Sequence, residues 1–98
     1  MNDPAYVEIS QALARRIVTE GGSTPELKAE FALKLVLSRI PEAHQIDEVL
    51  KLYHSELAHY RDLPEEAKKL SGVDSPETAA WTVVANMLLN LDAVLMRG

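Results

Sequence analysis

The closing stretch Thr78 to Arg97, TAAWTVVANMLLNLDAVLMR, limits the possible folds more sharply than any other part of the chain. It is too apolar for the outer helix of a small monomer. With about 100° of turn per residue, Val83, Met87 and Val94 share one edge, Ala80, Val84, Leu91 and Leu95 the middle, and Trp81 and Leu88 the far edge. Only Thr82, Asn86, Asn90 and Arg97 make a polar stripe. Such a helix is built to be covered on more than one side. Asn86, Asn90 and Asp92 interrupt its apolar run, which argues against a membrane span.

Proline and glycine punctuate the rest, and nothing alternates with the two-residue period of a strand, so the expected fold is all-α. The expectation is a small helical bundle of four main helices plus a short helical turn near residues 64–70. Asp3 and Pro4 give the first helix a cap and a first position, and Gly21-Gly22 ends it after Glu20. Its apolar stripe reads Tyr6, Ile9, Leu13 and Ile17. Ser23-Thr24-Pro25-Glu26 starts the second helix, which should stop near Arg39 because Pro41 disfavours helical geometry at Ile40. Leu27, Phe31 and Leu35 lie on one face of it, with Leu33, Val36, Leu37 and Ile40 roughly opposite, the pattern of a central helix packed between neighbours. The third helix, from Ala43 to Asp62, is amphipathic through Ile46, Val49, Leu50, Tyr53, Leu57 and Tyr60 and belongs on the surface. Ser71-Gly72 breaks the short turn, and the last helix opens at Asp74 or Ser75 with Pro76 first.

At 98 residues the chain is expected to be a single helical domain or part of one. Without cysteine there is no disulfide, no thiolate metal site and no covalent c-type haem attachment. A formal charge of −5 with scattered basic residues argues against a nucleic-acid partner, which needs clustered Lys and Arg. No basic segment followed by an apolar one opens the chain, so no signal peptide is read.

The sharpest metal candidate is Glu56-Leu57-Ala58-His59, since Glu-x-x-His is the spacing of di-iron helical bundles. There is no second copy. With Ile46 at zero, the apolar stripe of that helix centres near 350°, Glu56 falls at about 280° and His59 at about 220°, so Glu56 flanks the core and His59 faces out. No metal is expected. His44, His54 and His59 do not converge, and none has a Ser or Cys partner beside it in sequence. No catalytic constellation and no cofactor site is read. Asn86 and Asn90, four apart on an apolar helix, either bond a neighbouring segment or ligand or form a solvated stripe. Asp92, nearer the apolar side, should reach a backbone amide, an arginine or water at a helix crossing.

Ala79-Ala80-Trp81-Thr82, then Val84-Ala85 and Leu88-Leu89-Asn90-Leu91-Asp92, resemble the closing segment of a planctomycete-specific domain of unknown function found with planctomycete cytochrome-c-type domains. Asn2-Asp3-Pro4 with Val7-Glu8 and Ala12-Leu13-Ala14, Phe31 to Arg39, and Leu52-Tyr53 through Tyr60-Arg61 resemble further segments of that family. The chain departs from the pattern at Ile40-Pro41-Glu42, where the family has two prolines and a Thr or Ser cap, which implies a less firmly capped start of the third helix, and at Ala93, where the family has an acidic residue. The resemblance implies the C-terminal piece of a longer exported protein whose haem lies in other domains. It also implies that Trp81, Leu88, Leu89 and Leu95 cover a core or a partner, while Asn90 and Asp92 anchor a crossing. The function expected is a helical interaction or structural module, packing against its own upstream domains or forming a homo-oligomer through surplus apolar surface on the second and last helices. The alternative is an accessory, non-catalytic part of a haem-containing exported enzyme or electron-transfer protein.

Overall fold

Four of the five prolines stand at the first position of a helix, where a missing N–H costs nothing and a fixed φ favours the first turn. The helices are α1 (Pro4–Glu20), α2 (Pro25–Leu37), α3 (Ala43–Asp62), α4 (Pro64–Ser71) and α5 (Pro76–Met96). The computed structural model describes the backbone of residues 4–96 and the side chains of Ala5 and of residues 7–90. The Asp3 cap and the side chains of Tyr6, Leu91, Asp92, Val94, Leu95 and Arg97 lie outside the described residues. Among those residues the chain is all-helical, without strands, and its Cα radius of gyration of 12.6 Å is that of a compact globule.

Local chemistry sets the boundaries. Thr24 caps α2 by accepting the Leu27 N–H at 3.1 Å, and Ser75 caps α5 by accepting the Thr78 N–H at 3.1 Å. Gly22, at φ 111°, turns the chain between α1 and α2 in backbone space that a side chain rarely occupies. Two ends differ from the sequence reading. Helix α2 stops at Leu37, because Ser38 takes the left-handed conformation at φ 56° and donates its N–H to the Lys34 carbonyl at 2.9 Å. The start of α3 has support that Glu42 alone did not advertise: the Gln45 side chain reaches back to accept the Glu42 N–H at 2.8 Å.

The packing gives the apolar closing helix its reason. Helices α1, α2, α3 and α4 touch one another in sequence, α4 returns to touch α1, and α5 touches all four. The first four helices form a ring and the fifth fills it. Trp81, Val84 and Leu88 of α5 are buried in one cluster with Ala14 and Ile17 of α1, Ala29, Ala32 and Leu33 of α2, and Val49, Tyr53 and Leu57 of α3. Inside the ring the Trp81 ring stacks on Tyr53 with centroids 4.2 Å apart and planes at 20°.

This arrangement corrects two expectations. The central helix is α5, not α2, whose Leu27 and Leu35 remain 46% and 38% exposed. Two apolar faces arise on α2 because one meets the core and the other is only partly covered: Phe31 packs against the core cluster with the Arg16 guanidinium 5.8 Å from its ring centre, while Leu27 and Leu35 stay open. On α1 the buried face is Ser10, Ala14 and Ile17, continued by Gly21 just past the helix end and turned by roughly 60° from the expected stripe, and Ile9 is 52% exposed. Small residues win there because they let the α1 backbone approach its neighbours closely. A Cβ on Gly21, for example, would lie 3.1 Å from the Lys28 Cα.

Chemical denaturation separates these assignments. Ile17→Ala should cost about 2–5 kcal/mol, within the usual range for a fully buried isoleucine, whereas Ile9→Ala should stay within about 0.5 kcal/mol. Equal losses would restore the original stripe.

Candidate functional site

An apolar concavity opens where α2, α3 and α5 meet. Helix α2 supplies Leu33, Val36 and Leu37, helix α3 supplies Val49 and Leu52, and α5 supplies Met87 and Leu88. They line a groove of about 430 Å³, within the volume range of small-molecule pockets. Its polar lining is Arg39, His44, Gln45 and Glu48. His44 Nδ1 lies 3.3 Å from a Glu42 carboxylate oxygen, and Glu48 lies 3.9 Å from Lys51 with both side chains largely exposed. Arg39 is in no ion pair among the described residues. The neighbouring Ile40 is 80% exposed, the most open of the large apolar side chains described.

A second set of groups sits where α1 meets α5. Asn86 Nδ2 donates to the Ser10 hydroxyl at 3.1 Å, and Asn90 Nδ2 donates to the Asn86 carbonyl at 2.9 Å and to the Asn86 side-chain oxygen at 3.0 Å. Thr82, also on this stripe, is buried and donates its hydroxyl to the Thr78 carbonyl at 2.7 Å. The stripe is a polar seam inside the ring rather than a solvated face. Bonds along the helix satisfy the Thr82 hydroxyl and the Asn90 amide, and the bond to Ser10 satisfies the Asn86 amide, which is how polar groups enter a core at low cost. Gln11 adds a link from α1 to α4 through the Leu70 carbonyl at 2.7 Å. Every buried side-chain nitrogen and oxygen among the described residues has a hydrogen-bond partner.

The sequence candidates are therefore dispersed. Trp81 and Leu88 are core residues, 1% and 2% exposed, while Leu89, Asn86 and Asn90 are half-buried. Asp92 and Leu95 lie outside the described side chains. Trp81 and Leu88 meet the same cluster, but Asn86 bonds a different neighbour, α1, and Asn90 bonds Asn86. Glu56 is half-buried on α3 and His59 is exposed, its ring edge-on to Tyr60 at 4.9 Å. His44 and His54 are exposed as well. No group of three or more His, Cys, Asp or Glu among the described residues could hold a metal ion, and no described helix is long and apolar enough to cross a membrane.

Arg39 and Ile40 did not register as site residues in the sequence, although one signal was present. An apolar residue directly before a proline and after a helix stop has no helical face on which to hide. Ser10 was missed because a lone serine in an apolar helix has no period of its own.

Burial raises the pKa of Tyr53, with the nearby Glu77 carboxylate acting in the same direction and Arg61 against it. Burial also raises Tyr60, helped by Glu56 and Glu66. A phenol held protonated more tightly in the folded state contributes stability that is fully present below its unfolded pKa, about 10, and is lost as pH rises through the folded value.

Comparisons with protein-family models, with curated proteins and with solved structures gave no match to this chain.

Two measurements follow from this geometry. Stability should fall as pH rises above about 10, and Tyr53→Phe should make that fall shallower; an unchanged slope would remove Tyr53 from the titration. In a double-mutant cycle, Ser10→Ala and Asn86→Ala should couple by about 0.5–1.5 kcal/mol. Independent losses would mean that the Ser10–Asn86 bond is not stabilising.

Proposed function

We propose that this chain is a helical interaction module: a small bundle that packs through the outer side of α2 and the α2–α3 junction against another polypeptide surface. The observation that carries it is the distribution of apolar surface. Helix α5, the most apolar element, is enclosed by the ring as far as its side chains are described, yet Leu27 and Leu35 stay open on the outer side of α2, and Ile40 stays open next in the chain to Arg39 of the apolar groove. Burying large apolar side chains is favourable by about 1.5–3 kcal/mol each, and contiguous exposed apolar patches mark interaction surfaces.

The resemblance to the planctomycete-specific domain supports the same reading, since such a module would lie beside cytochrome-c-type domains of an exported protein. Haem would be held by those other domains. This chain has no cysteine for c-type attachment, so no ligand role is assigned to its residues.

The test is a dye that fluoresces on exposed apolar surface, combined with light scattering on the purified chain. The native chain should either self-associate or bind dye, and Leu27→Asp with Leu35→Asp should reduce the response without loss of helicity by circular dichroism. A strict monomer that binds no dye would overturn the proposal.

A further inference from the structure

We infer that the partner at the α2–α3 junction is a second copy of this chain, arranged with two-fold symmetry so that Ile40 of each copy enters the groove of the other. The inference rests on the interaction-module reading and names its occupant. Its basis is that one small patch carries both halves of a fit. Ile40 projects from the loop at 80% exposure, and Arg39 and His44, immediately before and shortly after it in the chain, line the apolar groove. A knob beside a hole on one surface becomes self-complementary under a two-fold rotation, where residue i meets residue j and j meets i.

The charges favour the same occupant. The groove lining holds Arg39 and Glu48 together, and neither is engaged in a strong internal pair: Arg39 has none among the described residues, and the Glu48–Lys51 contact is long and exposed. A uniformly acidic or basic partner would meet a like charge. A second copy presents Glu48 to Arg39 and Arg39 to Glu48. The chain's formal charge of −5 opposes association only weakly at physiological salt, where repulsion between remote surface charges is screened beyond about 8 Å.

Because Ile40, Arg39 and Glu48 are exposed, substitutions there should leave the folded chain intact, which circular dichroism verifies. Sedimentation equilibrium from micromolar to millimolar concentration should show a monomer–dimer equilibrium. Ile40→Asp should weaken it by about thirtyfold or more, as expected when a charge replaces a central apolar anchor. Arg39→Glu and Glu48→Arg should each weaken it alone, because each places like charges opposite one another twice. Mixing these two variants should restore a heterodimer: the introduced glutamate of one copy then faces the introduced arginine of the other, and the unaltered Glu48 of the first faces the unaltered Arg39 of the second.

A chain that stays monomeric to millimolar concentration overturns the second-copy assignment. If such a monomer still binds the apolar-surface dye and Leu52→Asp abolishes that binding, the module reading survives and its partner is a different molecule. A dimer insensitive to Ile40→Asp, or charge variants that do not rescue each other on mixing, overturns the symmetric α2–α3 interface.

Discussion

Helix α5 is apolar around most of its circumference, and a helix can be so in water only if every such side meets protein. The closed succession α1, α2, α3, α4 and back to α1 supplies those sides. The Trp81–Tyr53 stack places the largest side chain of α5 against α3, and the cluster spreads from there to α1 and α2. Ring closure and the filling of the ring are one event. Without α5, the inward faces of the outer helices would surround a void, and protein interiors do not sustain such voids.

Two kinds of contact divide the work around α5. Toward α2 and α3 the contact is large and apolar, through Trp81, Val84 and Leu88. Toward α1 it uses small residues and hydrogen bonds: Ser10 and Ala14 on one side, Thr82 and Asn86 on the other. Bulk gives the first contact its strength through buried area, and direction gives the second its register through bonds that tolerate little displacement. The two together fix the rotation of α5 within the ring.

Helix α2 carries apolar side chains on two faces, and the proposed function follows from the face left partly open. Its inner residues Ala29, Ala32 and Leu33 are buried, its outer residues Leu27 and Leu35 are open, and its early stop at Ser38 leaves Ile40 exposed in the connection to α3. The left-handed turn at Ser38 thus shapes the surface as well as the boundary. It separates α2 from α3 where the groove opens, next to the exposed Ile40.

The helices themselves were legible in the residues. Proline at the first helical positions, capping Thr24 and Ser75, and the glycines after α1 and α4 act through local geometry, so the order and approximate span of five helices could be read without knowing any neighbour. The need of the closing helix for cover on several sides was legible too, because it follows from composition and helical period. What covers it was settled only by packing. Helical period cannot say which of two apolar faces finds a partner, so α2 looked central when α5 is. It also gives small residues no weight, so the stripe on α1 was placed through Ile9 although the close approach of helices runs through Ser10, Ala14 and Gly21. The groove beside Ile40 was likewise invisible, because it exists only where three helices separated in sequence come together, and distances across such a junction are set by packing rather than by any local pattern.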